Sequence, residues 1–194
     1  MLLPLRSRRL LLRRLGVGDL EGFLAYRGDP EVARFQGWEA FSREQALAFL
    51  QRQEGQVPGV PGEWLQIGIV VQETQELVGD CALKLHAPDA RQATIGITLA
   101  RAFQGKGFAT ETLSTLFDHL FVEMRLHRVQ ADTDPENQAS WRLLERLGMR
   151  REAHLKQSLW FKGRWADEYI YAVLREEWRA PGNSQRQVPG RNCF

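Results

Sequence analysis

Three strands in succession, followed by a long helix and a further strand, constrain the fold of this chain most. The segments Trp64–Val71, Leu77–Leu85 and Arg91–Leu99 are apolar or β-branched and are separated by short polar turns, which predicts antiparallel pairing. An amphipathic helix over Gly107–Met124 then leads to a strand at His127–Thr133. A helical connection between two parallel strands of one sheet is nearly always right-handed, and we expect this segment to be such a parallel crossover. The sequence therefore predicts a mixed α/β (α+β) fold with a central, mostly antiparallel sheet.

The rest of the chain predicts elements on both sides of this unit. Ser42 followed by Gln45 is a capping box, and Asn137 and Gly148 mark the start and the end of another helix. The Trp160–Val173 segment predicts two strands joined by a hairpin at Lys162-Gly163. The further expectations are a strand over Arg8–Leu15, a helix from a cap at Asp19 to about Arg27, a short helix from Asp29-Pro30, and a loop over Gln56–Glu63. We expect a single domain over 1–180 and a flexible C-terminal tail over 181–194.

Composition excludes several classes of protein. The 194 residues include 43% hydrophobic and 26% charged side chains with a formal net charge of +2. These values are typical of a globular domain and disfavour disorder and nucleic-acid binding, although Arg6–Arg14 is a local basic patch. Two cysteines, Cys81 and Cys193, are too few for a disulfide framework or a four-ligand zinc site, and no metal is expected. Arginines interrupt the apolar runs of Met1–Leu15, so we predict no signal peptide or membrane span and expect a cytoplasmic protein.

One segment carries a chemical signal. In Gln104-Gly-Lys-Gly107-Phe-Ala109 a strand runs into a turn with two glycines, and a helix begins there. A helix N-terminus has unpaired N–H groups and a partial positive charge, and small side chains let a phosphate approach them. The pattern is neither a P-loop nor a dinucleotide-binding fingerprint, because the spacings of those motifs are absent. It can bind a pyrophosphate through the backbone, or it can be a plain turn that starts a helix.

Other segments, in the same order, resemble a known family. Asp134-Pro-Glu-Asn137-Gln-Ala-Ser140, followed by Leu144-Glu-Arg-Leu-Gly148-Met149, resembles a strand-to-helix segment of the GCN5-related N-acetyltransferases (GNATs). The glycine turn resembles the acyl-CoA pyrophosphate loop of that family. Arg9–Arg14 and Arg164–Trp178 resemble the opening and closing strands of its RimJ/RimL-like branch, which acetylates ribosomal-protein N-termini. The resemblance covers about residues 8–178.

The resemblance implies a GNAT fold with flanking helices and acetyl-CoA held between splayed fourth and fifth strands. It implies that Ile97 and Leu99 run beside the pantetheine arm of acetyl-CoA. Asn137 would bond this arm, and Ser140 would lie near the thioester sulfur. The residues that would bind the pyrophosphate are Gln104, Gly105, Lys106, Gly107, Phe108, Ala109 and Thr110.

The implied reaction is direct attack of a primary amine on the thioester. A backbone N–H near Leu99 or Ala100 would stabilise the oxyanion. Ser140 would donate a proton to the leaving thiolate, with Tyr169 or Tyr171 as the alternatives.

The base that deprotonates the amine is the open point of this mechanism. Relatives carry a carboxylate in the third meander strand or after Gly148, where this chain has Thr94 and Leu159. A water-relayed deprotonation is our leading hypothesis. The candidate substitutes, each of which also has a structural interpretation, are Asp80, His154, Asp167 and Glu168.

The sequence favours an N-acetyltransferase that acts on a protein N-terminal α-amine. An α-amine has a pKa of about 7.7–8.0 and needs little help to become neutral, whereas a lysine or polyamine needs a base or desolvation. Alternative acceptors are an aminoglycoside, a polyamine or an amino-acid analogue, which would need an acidic cleft. Asp29, Glu31, Glu39, Asp167 and Glu168 are the residues that could form one. A non-catalytic acyl-CoA-binding module is a further alternative, and formation of a homodimer is left open.

Overall fold

The computed structural model describes residues 3–178, which form one eight-stranded sheet with helices on both faces. The strands are β1 (Leu5–Arg6), β2 (Leu10–Arg14), β3 (Trp64–Val71), β4 (Leu77–Leu85), β5 (Gln92–Leu99), β6 (Arg128–Thr133), β7 (Arg150–Phe161) and β8 (Arg164–Leu174). The α-helices are α1 (Leu20–Arg27), α2 (Pro30–Ala33), α3 (Arg43–Gly55), α4 (Phe108–Asp118) and α5 (Gln138–Arg146). Within the described range the spatial order is β1-β2-β3-β4-β5-β6-β8-β7, and only β5 and β6 pair in parallel.

Alternate residues of the strands pack into two cores on opposite faces of the sheet. Ile69 of β3 belongs to the core that also contains Leu113 of α4 and Leu144 of α5. The next residue, Val70, packs instead with Phe23 of α1. The helices α1 and α3 therefore cover one face of the sheet, and α4 and α5 cover the other.

The parallel pair β5–β6 is paired over only part of its length. Its register consists of Gln92 with Arg128, Ala93 with Val129 and Thr94 with Gln130. Beyond these pairs β5 continues along β4 to Leu99, while β6 continues along β8 to Thr133. The two strands therefore separate and leave a gap, which confirms the predicted splay. The predicted fourth and fifth strands are β5 and β6 in the structure, because the short β1 precedes them.

The N-terminal region differs from its prediction in two details. The strand predicted from Arg8 begins at Leu10, because the preceding residues form a turn in which Ser7 N–H donates to the Leu10 carbonyl oxygen (2.9 Å). Asp19 precedes α1 as predicted, but its side chain does not cap the helix. Its carboxylate instead forms an ion pair with Arg13 (2.6 Å).

The C-terminal half also differs in extent. The helix predicted over Gly107–Met124 is α-helical to Asp118 and continues as a π-helical turn over His119–Glu123. β7 begins at Arg150 and not at Trp160. The prediction placed the start too late, because nearly all side chains of β7 are exposed and no alternation of apolar residues marks the strand. The hairpin turn at Lys162-Gly163 is confirmed.

The predicted tail over 181–194 lies outside the described residues, so the domain boundary at 180 stays a prediction. Among residues 3–178, no helix is both long enough and apolar enough to cross a membrane.

Candidate active site

The glycine turn forms a cluster of free backbone donors at the start of α4. Gly105 and Gly107 have φ of 72° and 79°, a left-handed conformation that costs glycine little. The first hydrogen bond of the helix runs from Glu111 N–H to the Gly107 carbonyl oxygen (3.0 Å). Within the described part of the chain, the six backbone N–H groups from Gly105 to Thr110 have no acceptor. Their number and the helix dipole make this turn suited to bind a pyrophosphate.

Arg9 lies against this turn, a role that the sequence analysis missed. Its Nε donates to the Glu111 carboxylate (2.7 Å), and its Nη1 donates to the Lys106 carbonyl oxygen (3.2 Å). Its Nη2 lies 3.4 Å from the position that a Cβ on Gly107 would occupy. Although burial alone would raise it, the pKa of the Glu111 carboxyl is lowered by hydrogen bonds from Ser7 and Arg9. A guanidinium charge is therefore held beside the free N–H groups.

The backbone of β5 presents further donors to the gap between β5 and β6. His86 N–H bonds the Gln92 carbonyl, and Ala100 N–H bonds the Val78 carbonyl (both 2.9 Å). The even-numbered residues of β5 therefore bond to β4, and the backbone groups of the odd-numbered residues face the gap. These include the N–H groups of Ile97 and Leu99. Because Ala100 N–H already has an acceptor, Leu99 is the better of the two predicted oxyanion donors.

The start of α5 contains the two polar residues predicted to contact the cofactor arm. Asn137 Oδ1 accepts the Ser140 N–H (3.2 Å), so Asn137 caps the helix as predicted. Trp141 Nε1 donates to the Pro135 carbonyl oxygen (3.2 Å) and fixes the turn before the helix. The Ser140 hydroxyl is partly exposed and has no partner among the described residues, which leaves it available to donate a proton.

The two tyrosines proposed as alternative proton donors differ in environment. Tyr171 is buried, and its hydroxyl donates to Glu145 (2.9 Å). Burial, followed by this hydrogen bond, raises the pKa of Tyr171 to about 12. Tyr169 is half-buried, pairs with Thr133 at the end of β6, and packs edge-on against His154 at 4.7 Å between ring centroids. Tyr171 is therefore a poor proton donor, and Tyr169 stays a prediction.

Asp80 is held in a buried network that disfavours its predicted role as a base. It is 1% exposed. Its carboxylate accepts hydrogen bonds from Arg27 (2.5 Å) and from the Tyr26 hydroxyl (3.0 Å). Because both carboxylate oxygens are occupied and solvent is excluded, Asp80 is placed to anchor α1 to the sheet and not to reach an amine.

The other predicted substitutes for the base are also engaged by neighbours. Asp167 accepts from Lys156 (2.9 Å) and is bonded to the His154 ring (2.8 Å). A hydrogen bond from the Gln157 backbone, followed by those two side chains, holds the pKa of Asp167 well below its usual range. Glu168 accepts a hydrogen bond from Ser158 (2.7 Å).

The two positions where relatives carry a carboxylate have other roles in this chain. Thr94 is buried, and its hydroxyl is hydrogen-bonded to His86 (2.8 Å). Leu159 is exposed on β7. Neither position supplies a titratable group that reaches the gap. Sequence reasoning also missed Asp132, an exposed carboxylate on β6, because a lone Asp in a strand carries no motif.

A pocket of about 420 Å³ lies between the end of α2, the tip of the β7–β8 hairpin and the turn before α5. Lys162 Nζ donates to the carbonyl oxygens of Ala33 (2.8 Å) and Trp38 (3.0 Å), which joins the hairpin tip to α2 and the segment after it. Arg164 forms ion pairs with Asp134 (3.3 Å) and Glu136 (3.5 Å). The lining residues are Arg34, Phe35, Glu136, Phe161, Lys162 and Arg164, so the pocket has more cationic than anionic side chains.

Comparison with known proteins identifies the family to which this chain belongs. A family profile described as an acetyltransferase (GNAT) domain matches residues 9–150. The chain belongs to the GNAT acetyltransferase family. A protein of Bacillus licheniformis named uncharacterised N-acetyltransferase p20 is 32% identical over 90% of this chain and 97% of its own length. The ribosomal protein uS5-alanine N-acetyltransferase of Escherichia coli is 32% identical over 45% of this chain and 45% of its own length.

Solved structures of GNAT proteins have the same fold. A GNAT acetyltransferase from Bacillus anthracis superposes with a TM-score of 0.82 at 28% identity, covering 90% of this chain and 100% of that one. A spermidine N-acetyltransferase from Vibrio cholerae in complex with CoA and spermine gives a TM-score of 0.74 at 22% identity, over 88% and 98% of the two chains. These findings confirm the predicted family, fold and N-acetyltransferase class. Acetyl-CoA is the cosubstrate of the GNAT family.

Proposed function

We propose that this GNAT protein transfers an acetyl group from acetyl-CoA to a primary amine through the gap between β5 and β6. The observation that carries the proposal is the run of free N–H groups from Gly105 to Thr110 at the end of β5. These donors would bind the pyrophosphate, which would leave the pantetheine arm to run between the separated strands beside Ile97 and Leu99. Gln104 contributes by donating its Nε2 to the Leu99 carbonyl oxygen (3.0 Å), which holds the turn against the strand.

The transfer step would use groups at three places around the gap. The Leu99 N–H would stabilise the negative charge that develops on the thioester oxygen. The Ser140 hydroxyl, at the start of α5, would give a proton to the departing thiolate. Asn137 would orient the arm through its amide nitrogen, because its oxygen is used by the helix cap.

A protein N-terminal α-amine is the acceptor that we favour. The uS5-alanine acetyltransferase of Escherichia coli acts on such an amine by its name, and it shares 32% identity with part of this chain. The pocket beside the turn before α5 has three cationic side chains and one carboxylate, which disfavours a polyamine by charge repulsion. A small cationic amine stays the second candidate, because Asp132 on β6 and Glu168 on β8 place two carboxylates on adjacent strands beside the gap.

Calorimetric titration with acetyl-CoA and with desulfo-CoA tests the binding part of the proposal. We expect both ligands to bind the wild-type protein and the Gly107→Glu variant to lose binding, because a carboxylate would enter the pyrophosphate site. Gly148→Glu is the matched control, since Gly148 also has a left-handed backbone (φ 80°) and open space around its Cβ position. Equal affinities of the two variants would contradict the pyrophosphate site.

A thiol-release assay over a panel of amines tests the acceptor. Turnover with alanine-initiated peptides and not with spermidine would support the protein α-amine, and the reverse would select a small cationic amine. Binding of acetyl-CoA without turnover of any amine would indicate a non-catalytic module and would contradict the proposed transfer.

A further inference from the structure

Asp132 lies on β6 next to the point where β5 and β6 separate. It follows the last paired residue, Gln130, by two positions. Val129 and Ala131 of the same strand are buried in the core with α4 and α5. Because side chains alternate along a strand, Asp132 projects to the opposite face, where it is exposed. An exposed carboxylate is therefore present at the gap, on the face of the sheet that α4 and α5 do not cover.

The charged groups that face Asp132 come from the adjacent strand β8 and from β4, which lies one strand further away on the other side. Glu168 lies on β8, two residues from Ile170, the register partner of Asp132. Lys84 lies on β4 and pairs with Thr94 of β5. Thr94 in turn pairs with Gln130, the last residue of β6 that is paired with β5. Although the residue as a whole is exposed, its carboxyl group is partly desolvated. This desolvation, and then the charge of Glu168, raise the pKa of the Asp132 carboxyl, while Lys84 acts in the opposite direction. The side chain keeps contact with solvent, so it can both accept and release a proton.

No other carboxylate that we considered as the base has this combination of position and freedom. Asp80 is buried and bonded to Arg27 and Tyr26. Asp167 is bonded to three groups that stabilise its ionised form. Among the described residues, no side chain donates a hydrogen bond to the Asp132 carboxylate.

We propose that Asp132 is the catalytic base of the acetyl transfer and takes a proton from the acceptor ammonium, directly or through one water. This inference rests on the proposed function. The neutral amine then attacks the thioester carbonyl carbon, so that a C–N bond forms and the C–S bond breaks. The electron pair of the C–S bond goes to the thiolate, which receives a proton from the Ser140 hydroxyl. The second amine proton leaves as the amide forms and restores the Ser140 hydroxyl through solvent, and Asp132 returns its proton to solvent.

The test is the pH dependence of kcat/KM for Asp132→Asn, measured with the best amine from the panel above. We expect kcat/KM to fall on the order of 100-fold at pH 7, within the range that general bases contribute. The loss should shrink as the pH rises above the pKa of the acceptor amine, about 8 for an α-amine, because the amine then becomes neutral without a base. The Kd for acetyl-CoA should not change. Asp132→Glu should restore part of the activity.

Two further variants change the pKa of Asp132 in opposite directions and keep the Asp132 carboxyl group in place. Glu168→Gln removes a charge that raises this pKa, so the acidic break in the kcat/KM profile should move to lower pH. Lys84→Gln removes a charge that lowers it, so the same break should move to higher pH. If Asp132 had a merely structural role, neither variant would shift the acidic break of the kcat/KM profile.

The outcomes separate this inference from the function on which it rests. Wild-type turnover together with an unchanged Asp132→Asn profile would overturn the role of Asp132 and leave the acetyl transfer intact. An equal loss at every pH, without recovery above the pKa of the acceptor amine, would also overturn it, because the defect would then not concern the amine proton. Absence of wild-type turnover with every amine would overturn both.

Discussion

Arg9 links the first strands of the sheet to the start of α4. Through its guanidinium it bonds Glu111 and the Lys106 carbonyl oxygen, and it lies over the Phe108 ring at 4.4 Å from the centroid. One nitrogen, Nη2, has no acceptor among the described residues and lies beside Gly107. A phosphate bound at the turn would meet this nitrogen as well as the backbone N–H groups. Arg is well suited to such a position, because its planar fork can bond two phosphate oxygens.

We expect Arg9→Gln to weaken acetyl-CoA binding about 10-fold, which corresponds to about 1.4 kcal/mol. The difference should shrink at high salt, since it arises from a charge near the surface. Calorimetric titration at two salt concentrations measures both effects. Arg13→Gln is the matched control, because Arg13 lies in the same hairpin, has the same side-chain exposure of 34% and forms its own carboxylate ion pair. Equal losses in the two variants would contradict a contact between Arg9 and phosphate.

Among the elements, the β7–β8 hairpin is the one that we propose shapes the acceptor side of the site. Its tip reaches across to α2 and the segment after it, where Lys162 donates to two backbone carbonyls. The pocket of about 420 Å³ lies beside this bridge. The free donors at the start of α4 follow β5, on the other side of the gap from the hairpin. The hairpin should therefore influence binding of the acceptor without influencing binding of acetyl-CoA.

Lys162→Met keeps the length of the side chain but removes its two hydrogen bonds to carbonyl oxygens and its ion pair with Glu39 (3.7 Å). We expect the KM for the acceptor to rise roughly 5- to 10-fold, on the scale of one charged hydrogen bond, with an unchanged Kd for acetyl-CoA. Steady-state kinetics and calorimetry give the two values. Lys156→Met is the control on β7, the strand that leads to the turn of Lys162, since Lys156 bonds only Asp167 among the described residues. A parallel rise of both constants in Lys162→Met would mean that the hairpin supports the whole site.

Elements with strong periodicity or turn chemistry could be predicted from the sequence. The three-stranded meander, the helix at the glycine turn and the hairpin at Gly163 are such elements. β7 could not be delimited, because an exposed edge strand has no alternation of apolar and polar residues. The two-residue β1 is too short for any periodicity.

The site could be predicted where a local motif marks it and not where distant residues meet. The glycine turn and the Asn137 cap follow from short patterns, and the structure places both beside the gap. The contact of Arg9 with Glu111 joins residues 102 positions apart and depends on tertiary packing. The burial of Asp80 depends on Arg27 and Tyr26 of α1, so its inaccessibility could not be predicted from its position in a strand. Asp132 became visible only when the register fixed which face it occupies.

At the scale of the whole molecule, the sheet consists of two parts that meet at the gap. β1 to β5 form one part, and β6, β8 and β7 form the other. Three residue pairs between β5 and β6 join them within the sheet, together with the core around α4 on one face and the Lys162 bridge on the other. A ligand that fills the gap would contact both parts. Binding of acetyl-CoA should therefore stabilise the molecule as a whole.

We expect acetyl-CoA at about 100 times its Kd to stabilise the fold by about 2.7 kcal/mol. For a chain of this size that corresponds to a rise of roughly 5–10 °C in Tm. Hydrogen exchange should slow both in the Gly105–Thr110 turn and at the N–H groups of Ile97 and Leu99. Adenosine 3′-phosphate 5′-diphosphate, at the concentration that gives equal occupancy, is the control that keeps the pyrophosphate and lacks the pantetheine arm. It should slow exchange at the turn alone, because nothing then occupies the gap between the strands. Equal protection of β5 by the two ligands would mean that the arm does not run between β5 and β6.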